Sequence, residues 1–214
     1  MIYFISDCHA IRTDGLKNYV ESYKPGDLLI VLGDLGIKFE KTEENRKFTE
    51  YFLSIDKPIA IVDGNHENHP YLNSLPEEEW RGGKINRLTK NIIRLKRGHI
   101  FTLEGNTFFV MGGCKSSAKW KPMGLWFEGE EPTPEEIAFA YKNLSAHSNK
   151  VDYILTHKYH PDMHGDDPMT LEGLKDYIDE KVDFKKWYAG HWHGETVYDE
   201  RHVIVFDTPT PLGT

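Results

Sequence analysis

Pro58-Ile59-Ala60-Ile61-Val62-Asp63-Gly64-Asn65-His66-Glu67 passes without transition from an apolar run to a polar cluster. The apolar part has the length and the β-branched content of a strand. It does not alternate, which marks a strand buried on both faces, as in a sheet covered by helices. The polar part then falls at the strand's carboxyl end, where open α/β sheets bind ligands. Gly64, just ahead of Asn65, permits a sharp turn that aims the next side chain.

The pattern recurs along the chain. Residues 2–5 end in Ser6-Asp7-Cys8-His9, and 28–32 end in Gly33-Asp34. Residues 151–155 end in Thr156-His157, and Tyr188-Ala189 run into Gly190-His191-Trp192-His193. Between these strands lie helical patterns. Phe48, Tyr51, Phe52 and Ile55 give helical spacing to 42–55. Thr133-Pro134-Glu135-Glu136 supplies a cap, a first-position proline and early acid for a helix over 134–147. A weaker pattern of the same kind covers 170–180. Residues 92–95, 100–103 and 107–111 read as a strand cluster, with Glu104-Gly105-Asn106 as a hairpin turn, and 203–206 as a late strand. The order is β-α-β-α-β, then strands, then a second α/β stretch, which two face-to-face sheets with outer helices would satisfy. One domain over 1–214 is expected, with an irregular excursion about 114–133 that carries Trp120, Trp126 and Phe127.

Composition narrows the function. Lysine and arginine number 26 against 34 aspartates and glutamates, a net charge of -8. Such a chain is a poor general binder of polyanions, so long duplex nucleic acid is not expected as a partner. The two cysteines, Cys8 and Cys114, form neither a disulfide framework nor a four-cysteine zinc site. The apolar start reaches Asp7 too early for a signal peptide, and no window has the length of a membrane span. A cytoplasmic protein without a membrane partner is the expectation.

Asp7, His9, Asp34, Asn65, His66, His157, His191 and His193 thus gather at strand ends. They offer oxygen and imidazole donors and no thiolate, a mixture that suits manganese, iron, zinc or nickel. Asp7 and His9 are two apart, as are His191 and His193, so each pair points one way if its strand end is extended. Cys8, between two such residues, should point away as a structural thiol.

The blocks Asp7-Cys8-His9, Gly33-Asp34, Gly64-Asn65-His66-Glu67, Thr156-His157 and Gly190-His191-Trp192-His193 stand in the order of the calcineurin-like metallophosphoesterase superfamily, and the chain resembles that family over nearly its whole length. The resemblance implies an α/β fold, a four-layer α-β-β-α sandwich with a dinuclear metal site at one edge. It implies two divalent ions, manganese first, with iron, zinc or nickel as alternatives. Asp7, His9 and His193 would hold one ion, Asn65, His157 and His191 the other, and Asp34 would bridge them. A shared carboxylate offsets the repulsion of two dications about 3.5–4 Å apart. A hydroxide shared by the ions would be the nucleophile and His66 the general acid. The implied partner is a small phosphorylated substrate, a phosphomonoester or phosphodiester. Two rival readings are a nuclease acting on short nucleic acids and a catalytically silent metal-binding scaffold.

The chain departs from the family's pattern after Asp34. Ile37 stands where relatives place a carboxylate that orients the acid histidine, and Lys38 stands where phosphatases place a phosphate-gripping arginine. A protein phosphatase is therefore disfavoured, and the orientation of His66 is left without a source. Lys115, Arg12 and Lys38 are phosphate-binding candidates, and Trp120, Trp126 and Phe127 candidate substrate walls. Glu67 reads as a loop support. His69, His99, His147 and His202 read as surface or packing residues, and His160 and His164 as without a direct role.

Overall fold

Strands apolar on both sides need neighbours above and below, and the computed structural model supplies them, among the described residues, with two sheets and five α-helices. It describes residues 1–39, 42–159 and 165–214, so His160 and His164 lie outside the described residues. In chain order the first elements are β1 (Ile2–Ile5), α1 (Asp14–Ser22), β2 (Leu28–Leu32), α2 (Glu43–Ser54), β3 (Ile59–Val62) and α3 (His69–Ser74). Then come β4 (Glu77–Trp80), β5 (Gly83–Arg87), β6 (Ile92–Leu95), β7 (Ile100–Leu103), β8 (Asn106–Met111) and α4 (Pro134–Ala146). The chain closes with β9 (Tyr153–Thr156), α5 (Leu171–Lys181), β10 (Lys186–Ala189), β11 (Thr196–Val197), β12 (His202–Ile204) and β13 (Thr210–Pro211).

One sheet has the order β13-β1-β2-β3-β6-β5-β4, the other β11-β12-β10-β9-β8-β7. Strands β1, β2, β3 and β6 run parallel, and so do β8, β9, β10 and β12. Their carboxyl ends therefore share one edge of each sheet. Phe4, Ile30, Val62, Phe108, Leu155 and Tyr188 belong to a cluster drawn from both sheets. A second cluster joins the outer face of β8, β9 and β10 to α4 and α5 through Phe109, Ile154, Trp187, Ala140 and Leu174. A third joins β1, β2 and β3 to α1 and α2 through Ile5, Val31, Ile61, Leu16 and Phe52. The apolar faces of both sheets are thus covered, as the unbroken strand sequences require.

Two sequence expectations change. The tight turn between β7 and β8 is Glu104-Gly105 alone, because Asn106 already pairs with Leu103. Both turn residues have positive φ, 48° and 77°, which the twist of a two-residue hairpin demands. The expected strand cluster also divides, β6 joining the first sheet and β7 and β8 the second. A buried ion cluster sits near this division. Asp63 accepts two 2.7 Å bonds from the Arg94 guanidinium, and Arg97 Nε lies 3.0 Å away but poorly aligned. The Asp63 carbonyl also accepts the Gly113 N–H at 2.7 Å. The end of β3 is thereby tied to the loop that follows β8.

Candidate metal centre

The five polar strand ends converge between the two sheets. Asp7 follows β1, Asp34 follows β2, Asn65 and His66 follow β3, His157 follows β9, and His191 and His193 follow β10. The loops are not extended. Asp7, His9, Asp34, His191 and His193 all have positive φ, between 47° and 75°. This corrects the expectation that spacing by two on a straight strand aligns each pair. A left-handed conformation costs an ordinary residue roughly 1–2 kcal/mol, and such strain gathers at functional sites. Close approach explains two of the glycines. A methyl group on Gly64 would collide with Asp34 Oδ1, and one on Gly190 with Ser6 Oγ.

The donors fall into two sets. In one, His9 Nε2 and His193 Nε2 are 3.0 Å apart, and Asp7 Oδ1 lies 3.8 and 3.4 Å from them. In the other, His157 Nε2 lies 3.1 Å from Asn65 Oδ1 and 3.2 Å from His191 Nδ1. Asp34 stands between them, with Oδ2 3.5 Å from His9 Nε2 and Oδ1 3.4 Å from His157 Nε2. The ring of His157 is fixed from behind, since Nδ1 contacts the Leu32 carbonyl at 2.7 Å and leaves Nε2 to the site. A second tie holds Asp7, whose Oδ2 accepts the His191 N–H at 2.7 Å.

This donor set fits divalent cations. Asp7 Oδ1 is buried, aimed at His9 and His193, and without a hydrogen-bond partner among the described residues. Asp7 and Asp34, both buried, share one small space and face histidines. Burial alone would raise the Asp34 carboxyl, yet His157, His9 and His66 hold it far below the ordinary range. Burial works against a charged His157, and Asp34 and Asp7 outweigh it, raising that histidine to about 9. Burial, then the neighbouring His157, lowers His191 to about 3, so it stays a neutral donor. The local field asks for positive charge at the centre, which metal ions supply.

Cys114 joins the second set, contrary to the expectation of a site without sulfur. Its Sγ lies 2.9 Å from Asn65 Oδ1 and 3.8 Å from His191 Nδ1, and Cys114, His157 and His191 form a group able to hold a metal. No sequence block marked it, because it follows β8, whose carboxyl end carries Gly112-Gly113 and no other ligand type. Cys8, by contrast, packs in the core beneath α1 and α2.

The structure also supplies what holds His66. Ile37 is buried in the core and offers it nothing. Instead His66 Nδ1 meets the Leu125 carbonyl at 3.1 Å, and the His66 N–H donates to Asp34 Oδ1 at 2.7 Å. Trp120 stands edge-on to the His66 ring, centroids 5.4 Å apart. Glu67 serves as the expected loop support, accepting from the Leu35 and Gly36 N–H groups. Its burial, with Asp34 beside it, pushes it up to about 8.

A cavity of about 800 Å³ opens over these residues. Arg12, Lys115 and Trp120 line it as expected. Lys38 is not among its lining, and its Nζ lies 5.6 Å from the Tyr71 ring instead. Trp126 and Phe127 stand outside it too, under Lys121 and against Phe39 respectively. Of the remaining histidines, His69 and His202 are buried. His202 stacks on Tyr159 at 4.1 Å and pairs with Asp199 at 2.8 Å.

The calcineurin-like phosphoesterase family model matches residues 1–195. The chain belongs to that family. Membership makes it a metallophosphoesterase of the class that hydrolyses phosphate esters with divalent metals, and the metal-binding groups described above agree. No curated protein matches the chain. Among solved structures it is similar to a phosphopantetheinyl hydrolase from Mycobacterium tuberculosis, at 19% identity over 96% of this chain and 89% of that one, with a TM-score of 0.44. It is also similar to a protein of unknown function from Aquifex aeolicus, at 17% identity over 86% and 87%, with a TM-score of 0.43. Among the described residues no helix is long and apolar enough to cross a membrane.

Proposed function

We propose that this calcineurin-like phosphoesterase is a dinuclear hydrolase of small phosphate esters, monoester or diester, with His66 as its general acid. The observation that carries the reading is the position of Asp34, whose two oxygens face two separate donor sets. Asp7, His9 and His193 would hold one cation and Asn65, His157 and His191 the other, with Asp34 facing both. Manganese is the first candidate for both. When bound, such ions polarise phosphate oxygens and lower the pKa of water to about 7.

The chain's own residues do the rest. Asp34 is locked by the His66 N–H, so the bridging carboxylate and the acid histidine are positioned as one unit. The Leu125 carbonyl can only accept, which places a proton on His66 Nδ1 and turns Nε2 toward the cavity. In the acid form of the ring Nε2 carries a second proton, which it gives to the leaving oxygen, and the neutral ring that remains keeps its proton on Nδ1. Arg12, whose Nη1 lies 2.7 Å from His193 Nδ1, is placed to bind a phosphate oxygen beside the first donor set.

The test is hydrolysis of para-nitrophenyl phosphate and its bis ester by chelator-stripped protein, with and without manganese. Manganese-dependent turnover that is lost in Asp34→Asn supports the reading and shows which ester class is preferred. Absence of turnover in protein that binds two metals per chain would sink it and leave a scaffold.

A further inference from the structure

The cavity carries more positive charge than one phosphate requires. Two dications set against Asp7, Asp34 and a shared hydroxide leave a charge of +1, so one further cation balances a phosphate dianion. Around them the lining adds Arg12, Lys115, Lys119 and Lys158, while Glu44 is the remaining carboxylate among the described lining residues. A chain with net charge -8 has thus gathered four cations in one concavity. They come from separate segments, after β1, after β8 and after β9, so they surround the donor sets. Isolated surface lysines are ordinarily solvated, but convergence of this kind focuses a field on an anionic ligand.

Aromatic rings accompany these cations. Lys119 Nζ lies 4.7 Å from the Trp120 ring centroid, and Lys158 Nζ 5.6 Å from that of Trp192. Trp120 is also the ring that stands edge-on to His66, and both line the cavity. Alternating cations and aromatic faces suit nucleotides, whose phosphates need charge and whose bases stack. A volume of about 800 Å³ holds a ligand of that size. The presence of an acid histidine bears on the bond that is cut. A phosphate leaving group in an anhydride needs no proton, whereas an alkoxide does. The scissile bond is therefore an ester.

We infer that the substrate is a phosphate ester whose leaving alcohol is itself a nucleotide, its base against Trp120 and its own phosphate between Lys119 and the neighbouring cations. The inference rests on the hydrolase reading above. In the reaction an oxygen from water bonds to phosphorus and the bond from phosphorus to the nucleotide oxygen breaks. That oxygen takes the proton from His66 Nε2, and a proton from the water passes to solvent. A nucleoside bisphosphate and a 5′-phosphorylated dinucleotide share this chemistry.

The experiment compares adenosine 3′,5′-bisphosphate and the dinucleotide pApA with adenosine 3′-monophosphate, using manganese-loaded protein. The monophosphate shares the base and the monoester bond of the bisphosphate but lacks its second phosphate, and ApA, assayed beside pApA, serves as the matching control for the dinucleotide. The ratio of kcat/KM values is expected to favour the bisphosphate or the dinucleotide by about tenfold or more, the worth of hydrogen bonds to a charged group. The substrate that gains the advantage separates the monoester source from the diester source. High salt should shrink the ratio, and so should Lys119→Ala combined with Lys158→Ala. Tryptophan fluorescence gives a readout apart from turnover, since the bisphosphate should quench it at lower concentration than the monophosphate. Equal kcat/KM values and equal quenching, in protein that turns over para-nitrophenyl phosphate, would overturn the inference and leave the hydrolase standing. Loss of para-nitrophenyl phosphate turnover as well would remove both.

Discussion

His66 meets a carbonyl, a carboxylate and an indole at once, and each contact has a consequence. The Leu125 carbonyl holds its Nδ1–H and so leaves Nε2 for the proton that is transferred, its own N–H sets Asp34, and Trp120 limits the angle of its ring. A group that acts only by donating a proton matters in proportion to the basicity of the oxygen it protonates. His66→Ala should therefore lower kcat by about 10²–10⁴ on esters of ordinary alcohols, and much less on para-nitrophenyl phosphate. A series of esters graded by leaving-group pKa checks this, with metal content measured in parallel; a loss of the same size across the series would point to a structural defect. The thiols make a second case. Burial pushes Cys114 up to about 12, and it raises Cys8 as well. The reactive thiolate should be scarce throughout the neutral range and appear only as pH approaches those raised values. Metal-free native protein at pH 8 should give no reaction with a disulfide reagent, and denatured protein should give both thiols. Prompt reaction of either thiol in native protein would contradict its burial.

Asp63 joins β3, β6 and the loop after β8, although its side chain lies outside the donor sets. Two guanidiniums share its carboxylate, and Arg97 also donates to the Gly129 and Glu130 carbonyls. Asp63→Asn leaves a buried charge without its partner and should cost about 3–5 kcal/mol in urea unfolding. The pH dependence has a definite sign. Burial would raise this carboxyl, but Arg94 and Arg97 hold it well below its unfolded value of about 3.9. Its stabilisation is complete above that value and is lost as pH falls toward the lower folded one. The gap between wild type and Asp63→Asn should accordingly narrow on acidification, and a gap that widened would reverse the assignment. At the start of α4, Thr133 accepts the Glu136 N–H while Glu136 accepts the Thr133 N–H. Thr133→Ala should cost about 1 kcal/mol, read from the same unfolding curves. This cap was legible in the sequence, and so was α2, because Thr42 caps it and Phe48 and Phe52 face the core. The continuous runs of β1 and β2 were equally plain. Strand β4 was not, since Glu77-Glu78-Glu79 is exposed at a sheet edge and has no apolar face to announce it. Helix α1 also leaves little trace in the sequence, its buried face being only Gly15, Leu16 and Tyr19. Among the site residues, the side chains at strand ends could be read from their blocks. The Leu125 carbonyl could not, because a backbone group leaves no trace in residue type. Cys114 was hidden in a loop with no block of its own.

At the scale of the whole molecule the donor sets form a joint between the sheets. Asp7, Asp34 and Asn65 come from one sheet, His157, His191 and His193 from the other. Cations bound between them tie the ends of both sheets together and relieve the crowding of two buried carboxylates. A ligand that binds only the folded state stabilises it by mass action, by about 4 kcal/mol at a thousandfold excess over Kd. A chain of this length gains roughly 2–4 °C in Tm for each kcal/mol. Reloading stripped protein with manganese should therefore raise Tm by roughly 8–16 °C at that excess. Asp34→Asn should lose most of the rise, since Asp34 faces both sets, whereas Asp7→Asn weakens only one and should keep part of it. Calorimetric scans of the stripped and reloaded proteins decide the matter. A Tm indifferent to divalent metal would mean that the convergence of donors does not bind cations, and a rise of equal size in both variants would deny Asp34 its place between the two sets.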